Sequence, residues 1–273
     1  MTAELERIEI DLVLEAIRAR YGYDFRDYAP GTIERRLRVV LARNGLAHLG
    51  ELQHRLLHEP SFFLDVLDEL TIQVSDLFRD ARFYLSFRQQ VVPLLRTYPQ
   101  LKIWHAGCAS GEEVYSMAII LTEEGLYERT QIYATDISGR VLEQAKDGVY
   151  AANRLEAFAN AYRAAGGERD FREYYSEAYG RIVLRSALRT NIVFFQHDLV
   201  HDYALGEMNV ILCRNVLIYF EPPLRSRVFG MLQGGLCHNG FLCLGMSERA
   251  PEGTPGFAEF VAADRIYRLV GAR

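Results

Sequence analysis

The order of strand-like and helix-like segments constrains this fold more than any other feature of the sequence. Beyond about residue 97, short apolar runs typical of strands alternate with stretches of helical spacing. Repeated strand–helix units with almost continuously apolar strands are typical of a parallel sheet packed between helices. We therefore predict an α/β domain of the doubly wound type over residues 98–273, ending in an antiparallel strand pair.

The first 97 residues have a different pattern, because apolar residues recur there at helical spacing over several segments. We predict an all-α N-terminal domain over residues 1–97. Strand composition at Arg181–Leu184 and at 191–195 interrupts the later alternation. We interpret it as a small antiparallel β subdomain inserted at about 171–196.

Charge and composition argue against several classes of protein. A formal net charge of -5 is unfavourable for a general nucleic-acid binder. The N-terminus shows no basic segment followed by an apolar run, and no apolar stretch approaches membrane-spanning length. We expect a cytoplasmic protein without direct membrane insertion.

Cysteine and histidine positions give no sign of a metal site. The four cysteines lie in or beside apolar segments, and none forms a C-x-x-C pair, so we expect reduced thiols. His197 and His201 are four residues apart but lack the glutamate of a zinc-binding H-E-x-x-H helix. We expect no metal.

A strand-to-helix turn carries the clearest chemical signal. An apolar strand leads into small residues that include Ala106 and Gly107, and the next helix opens with Glu112 and Glu113. Small residues let a ligand approach the backbone, whereas two acids at a helix N-terminus repel phosphate. The turn therefore predicts a nucleoside with hydroxyls and positive charge. S-adenosylmethionine (SAM) fits this description better than a dinucleotide, and the G-x-G-x-x-G spacing of nicotinamide enzymes is missing.

Two further sites follow apolar strands. Asp136 comes about 20 or more residues after the glycine turn, where an acid can bind ribose hydroxyls, although it could also cap the next helix. Arg214 and Asn215 follow a later strand and should lie at the carboxyl edge of the sheet, with Tyr219 facing the same crevice. The alternative is a turn asparagine and a core tyrosine.

A polar cluster near residue 75 ends one helix and begins another. It contains Gln73, Ser75 and Asp76, followed by Arg79. A helix cap with a solvated arginine would also explain it.

Together these segments resemble the CheR-type chemotaxis-receptor glutamate O-methyltransferases. Residues 104–116 are similar to the family's WSAGCSTGEEPYS loop, and residues 213–220 read CRNVLIYF, as in the family. Residues 70–79, 134–137 and 245–248 are similar to further family segments, so the resemblance covers nearly the whole chain. The loop and CRNVLIYF together are highly specific.

The resemblance implies a helical N-terminal domain joined to a Rossmann-like SAM-dependent methyltransferase sheet with a small inserted antiparallel β subdomain. Its reaction is methyl transfer from SAM to receptor glutamates, which gives γ-methyl esters and serves adaptation in chemotaxis-type signalling. A catalytically weak SAM-binding regulator or scaffold is the alternative.

The resemblance also assigns site residues. Arg79 and Tyr219 would be catalytic; Glu113 would hold the amino-acid end of SAM and Asp136 its ribose. The implied cofactor-binding residues are Gln73, Ser75, Arg79, Ala106, Gly107, Glu113, Asp136, Asp198, Leu199, Arg214 and Asn215.

Several positions depart from the family pattern. Gln73 stands for the usual Asn, Ser75 for Thr, His105 for Ser, Val114 for Pro and Met246 for His. None of these changes removes an essential charge, so we expect an active enzyme.

A basic helix is the predicted receptor-binding surface. Five arginines and two acids lie between residues 26 and 43, which gives a local charge of +3. Arg35, Arg36 and Arg38 could steer the acidic methylation helices of a receptor, although a solvated helix face would look similar. The short connection at 174–181 favours an enzyme independent of a receptor C-terminal tether, and we expect a monomer.

Overall fold

The computed structural model describes residues 3–71, 75–251 and 254–271. Its contacts divide the chain into two units, the first up to residue 72 together with Tyr219–Arg227, and the second the remainder. The sequence placed this boundary near residue 97. Residues 75–97 instead belong to the second unit, because Phe83 and Phe87 are buried in the same apolar cluster as Ile103 and Ile132.

The first unit is built from four amphipathic helices. These are α1 (Ala3–Tyr21), α2 (Pro30–Asn44), α3 (Leu49–His58) and α4 (Pro60–Leu70). On α2, Ile33, Leu37 and Val40 are buried, which is the spacing of one helical face. Gly45 ends α2 in the left-handed conformation, where glycine has no steric penalty.

The second unit alternates helices and strands as predicted. It begins with α5 (Ala81–Ser86), a π turn (Phe87–Val91) and α6 (Val92–Leu95). The remaining elements are β1 (Leu101–Ala106), α7 (Glu112–Glu123), β2 (Thr130–Asp136), α8 (Gly139–Asp147), β3 (Val149–Ala151), α9 (Leu155–Ala164), β4 (Tyr175–Ala178), β5 (Arg181–Leu184), β6 (Ile192–Gln196), β7 (Met208–Cys213), α10 (Pro222–Gly235, whose residues up to Arg227 group with the first unit), β8 (Leu236–Leu244), β9 (Phe257–Val261) and β10 (Ile266–Leu269).

Seven strands form the main sheet in the order β6-β2-β1-β7-β8-β10-β9. The first five are parallel, and the last two are added antiparallel, which confirms the predicted terminal pair. The chain runs outward from β1 to β2 and β6 and then returns to β7 beside β1. The carboxyl ends of β1 and β7 therefore flank the point where strand order reverses, the usual ligand crevice of such sheets.

A second, three-stranded antiparallel sheet has the order β3-β5-β4. The predicted small β subdomain is present, but its bounds differ from 171–196. It begins at β3, and β6 is excluded because it pairs in parallel with β2, with Gln196 opposite Asp136. Strand composition does not specify the pairing partner, which depends on tertiary packing.

Within residues 3–71, 75–251 and 254–271, the helices are all too short or too polar to cross a membrane. The same residues contain no group of three His, Cys, Asp or Glu side chains placed to hold a metal ion. All four cysteines are free thiols, and burial raises the pKa of Cys108, Cys213 and Cys243.

Candidate active site

The turn after β1 is closed by backbone hydrogen bonds to the end of β2. The N–H groups of Gly107 and Cys108 donate to the Thr135 carbonyl oxygen at 2.9 and 2.8 Å. Gly107 has φ +81°, and a Cβ atom there would lie 2.6 Å from a methyl carbon of Val216. Only glycine fits this position, so the small-residue pattern reflects both backbone conformation and space.

Asp136 stabilises the same turn at the carboxyl end of β2. Its Oδ2 accepts the Ala109 N–H at 2.9 Å, and its Oδ1 accepts the Ser138 N–H at 3.1 Å. The cap of α8 is Ser138, whose hydroxyl accepts the Val141 N–H at 3.3 Å. Asp136 thus joins the two loops beside the crevice, and its ribose-binding role stays a prediction.

Glu113 lies in the first turn of α7 with a cationic and an imidazole partner. Its Oε1 is 2.9 Å from His105 Nδ1, and its Oε2 accepts from Arg214 Nη1 at 3.0 Å. Burial alone would raise the pKa of Glu113, but the His105 hydrogen bond and the Arg214 charge outweigh it and hold the pKa below 4.5. A carboxylate that stays charged at neutral pH suits a cationic ligand group.

Arg214 connects the end of β7 to two other elements. Its side chain is 1% exposed. Besides Glu113, Nη2 donates to Asp80 Oδ2 at 2.8 Å, and the guanidinium carbon lies 4.1 Å from the centre of the Phe83 ring. Burial would lower the pKa of Arg214, but Glu113 and other neighbours raise it. This arginine therefore remains charged and neutralises two acids.

Glu112, next to Glu113, has a separate set of partners. Its side chain is 2% exposed, accepts from Ser110 Oγ at 2.5 Å and pairs with Arg154 Nη1 at 3.1 Å. Burial raises the pKa of Glu112, although these two partners oppose the rise. Arg154 was missed, since it lies 42 residues away and carries no motif.

The segment before α5 carries Ser75 and Arg79, both half-buried. The Phe78 N–H donates to Ser116 Oγ on α7 at 2.8 Å, and the Arg79 carbonyl accepts from Arg214 Nη2 at 3.4 Å. The segment is therefore held beside Glu113, and the role of Arg79 stays a prediction. Gln73 lies outside the described residues.

Asp198 and Leu199 follow β6 at the same sheet edge as Asp136. The Asp198 carboxylate accepts the Val200 N–H at 2.8 Å and contacts His201 Nδ1 at 2.8 Å. Leu199 is half-buried. Their predicted position beside the adenine stays a prediction.

Glu248 organises the loop after β7, a role the sequence did not assign. It is 4% exposed and accepts the N–H groups of Asn215 and Gly245 at 2.8 and 2.6 Å. Asn215 itself has φ +61°, a conformation that asparagine tolerates better than most residues. The late Gly-Met-Ser-Glu segment could have signalled this contact through its acid.

Tyr219 belongs to the first unit, where its carbonyl accepts the Ala29 N–H at 2.8 Å. Its catalytic role stays a prediction.

The three predicted receptor-binding arginines differ in their contacts within the first unit. Arg36 pairs with the buried Glu69 at 2.9 Å, and Arg38 pairs with Glu6 at 2.8 Å. Arg35 is exposed. Arg36 is therefore partly committed to internal packing.

Comparison with known proteins agrees with this arrangement. The "CheR methyltransferase, SAM binding domain" family matches residues 73–266, and the "CheR methyltransferase, all-alpha domain" family matches residues 8–71. The chain is 47% identical over 271 residues to "Putative methyltransferase Cher3" of Pseudomonas putida, covering 98% of this chain and 99% of that protein.

Two further relatives have more specific names. "Chemotaxis protein methyltransferase Cher2" of Pseudomonas putida is 32% identical over 244 residues, covering 84% of this chain and 85% of that protein. "Chemotaxis protein methyltransferase 1" of Pseudomonas aeruginosa is 32% identical over 230 residues, covering 79% and 81%. The family matches span both predicted domains, and the charged Glu113 and the glycine turn suit the cofactor. The chain therefore belongs to the CheR methyltransferase family and is a SAM-dependent methyltransferase.

Proposed function

We propose that this methyltransferase acts in the cytoplasm on a chemoreceptor and converts glutamate side chains to γ-methyl esters during adaptation in chemotaxis-type signalling. The observation that carries the proposal is the match of both CheR domains, all-α and SAM-binding, along one chain. Relatives that cover most of this chain are named chemotaxis protein methyltransferases. A protein of this kind needs no general nucleic-acid affinity, in keeping with the net charge of -5.

Methyl transfer to a carboxylate requires little proton transfer by the protein. A glutamate carboxylate has a pKa of about 4.3, so the substrate is already ionised at neutral pH and needs no general base. SAM, when bound, supplies a methyl group activated by its sulfonium. The protein's task is to orient the substrate carboxylate and to exclude water from it.

Each charged side chain of the site has a place in that task. Glu113 would hold the ammonium of the cofactor, because His105 and Arg214 keep it ionised. Asp136 would accept from the ribose hydroxyls. Arg79 would orient the substrate carboxylate. Because a tight bidentate pair would stabilise the ground state as well as the transition state, Arg79 would contribute to the rate through alignment. Tyr219 would position either the same oxygen or the sulfonium.

An active enzyme is favoured over a SAM-binding scaffold. Arg79, Glu113, Asp136 and Arg214 are all present, and Arg214 donates to the Arg79 carbonyl oxygen at 3.4 Å and to Glu113 at 3.0 Å, which supports this choice. A scaffold that only binds SAM would need Glu113 and Asp136 but not the side chain of Arg79.

The test is transfer of labelled methyl from SAM to candidate receptors, with release of volatile methanol by base and S-adenosylhomocysteine as competitor. Arg79→Ala should lower methyl transfer about 100-fold, because a misaligned carboxylate reacts poorly, while SAM affinity by calorimetry changes little. Arg163→Ala is the control, since Arg163 is an exposed arginine of the same unit. Equal methyl transfer by Arg79→Ala and wild type would contradict the proposed role of Arg79 in alignment. If wild type produced no base-labile label, the SAM-binding scaffold would be the remaining interpretation.

The receptor-binding surface is tested separately. Charge reversal at Arg35 and Arg38 should weaken receptor methylation, most at low salt, with SAM affinity unchanged. Arg36 is left intact because it pairs with Glu69. Arg163→Glu, an exposed site in the second unit, is the matched control. Equal loss in the control would argue against a specific surface. Removing the receptor's C-terminal peptide should not matter for an untethered monomer.

A further inference from the structure

The segment 76–80 is attached to the start of α7 at three points. In the middle, the Phe78 N–H donates to Ser116 Oγ at 2.8 Å. At one end, Arg214 joins Asp80 to Glu113; we call this the Arg214 bridge. At the other end, Arg154 joins Asp76 to Glu112; we call this the Arg154 bridge. The two adjacent acids of α7 thus hold the two ends of one segment.

Arg154 is well placed to act on this segment. Its Nη1 is 3.1 Å from Glu112 Oε1, while Nη2 donates to the Ser75 carbonyl oxygen at 2.7 Å and to the Asp76 carboxylate. Its guanidinium carbon lies 4.7 Å from the centre of the Phe158 ring. One side chain therefore contacts the reaction-side segment, the cofactor-side helix and the inserted region.

The small sheet determines where Arg154 lies. Arg154 is the last residue of the turn Ala152–Arg154, which directly follows β3. Within this connection, Ala151 is opposite Arg181 on β5, and the Ala152 N–H donates to the Gly180 carbonyl at 3.0 Å. A shift of the small sheet would therefore move the guanidinium group of Arg154.

The backbone of the segment needs such support. Phe78 and Asp80 have φ +56° and +58°, left-handed conformations that are costly for residues other than glycine. Such conformations persist only when surrounding contacts hold them. Arg79 lies between these two residues, so its orientation depends on the contacts that keep the segment in place.

We propose that Arg154 is a positioning residue for methyl transfer, which holds segment 76–80 against Glu112 and thereby sets the position of Arg79 relative to Glu113. The inference rests on the role of Arg79 under the proposed function. Arg154 acts through the segment and need not contact the cofactor or the substrate. The inserted sheet has, by this account, a mechanical connection to the reaction site.

The first experiment measures amide hydrogen exchange in the ligand-free protein. Arg154→Ala should speed exchange of the amides at 76–80, Phe78 above all, by about tenfold, while strand β1 stays protected. Arg181→Ala, which removes an exposed arginine of the same small sheet, should leave these amides unchanged. Unchanged exchange at 76–80 in Arg154→Ala overturns the inference whether or not the protein methylates a receptor.

The second experiment separates alignment from cofactor binding. At saturating SAM, Arg154→Ala should lower kcat about tenfold with a SAM Kd within about threefold of wild type. Combining Arg154→Ala with Asp76→Ala should lower kcat little further, because either substitution alone already breaks the Arg154 bridge. If Arg154→Ala folds poorly, the double variant Arg154→Ala with Glu112→Gln replaces it, because the second substitution removes the buried carboxylate that the first leaves unpaired. Wild-type kcat in the folded variant, or fully additive effects, overturns the inference, whereas an inactive wild type would contradict only the proposed function.

Discussion

The Arg214 bridge and the Arg154 bridge join the same two elements but differ in their surroundings. The Arg214 side chain is 1% exposed and lies between Glu113 at 17% and Asp80 at 34%, whereas that of Arg154 is 35% exposed and lies between Glu112 at 2% and Asp76 at 54%. Successive residues on a helix point about 100° apart, so Glu112 and Glu113 reach different environments from one turn. The buried partner of the Arg214 bridge is therefore the cation, whereas the buried partner of the Arg154 bridge is an acid, Glu112.

Removal of the two arginines should give the largest difference. Arg214→Ala removes a buried cation from the partly buried Glu113 and the more exposed Asp80, so the free energy of unfolding should fall by about 3 kcal/mol. Arg154→Ala leaves the solvated Asp76 and the buried Glu112, which keeps its hydrogen bond from Ser110, so the loss should be smaller, about 1–2 kcal/mol. Urea unfolding of both variants measures this. Similar losses would show that solvent exposure does not distinguish the bridges.

The central contact should have an intermediate effect. Ser116→Ala leaves the Phe78 N–H without its acceptor and should cost about 1–2 kcal/mol. Thr122→Ala is the control on the same helix, because its hydroxyl donates to the carbonyl four residues earlier, as that of Ser116 does. The denaturation midpoints of the two variants decide the matter. If Thr122→Ala loses as much stability as Ser116→Ala, the hydrogen bond from Phe78 to Ser116 does not account for the loss.

The smallest effect should appear in the pH dependence of stability, with opposite signs for the two acids. The pKa of Glu113 is lowered from 4.5, so its contribution is present above that pH and is lost as pH falls through the folded-state pKa. The pKa of Glu112 is raised from 4.5, so its contribution is present below that pH and is lost as pH rises through the folded-state pKa.

The corresponding measurement uses Glu113→Gln and Glu112→Gln. The stability deficit of Glu113→Gln relative to wild type should shrink on acidification from about pH 7 to pH 3, whereas that of Glu112→Gln should shrink as pH rises over the same range. Unfolding by urea at a series of pH values tests both. If both stability deficits change in the same direction with pH, the pKa values of Glu112 and Glu113 are not shifted in opposite directions.

Much of the candidate site could be predicted because its signals are local. Gly107 and Asp136 stand at strand ends, and the alternation of elements places those ends at one edge of the sheet. The assignment of 191–195 to the small sheet was wrong for the opposite reason. Its apolar composition suits a strand in either sheet, and only pairing with β2 determines which.

Local sequence specifies the order of elements, the small-residue turn after β1 and the kinds of charge near the crevice, because each depends on residues close together in the chain. The pairing of those charges depends on tertiary packing. Glu113 finds Arg214 at a separation of 101 residues, and Glu112 finds Arg154 at 42. No local pattern encodes such contacts, since they arise when the sheet and its insertion bring distant loops to one helix end.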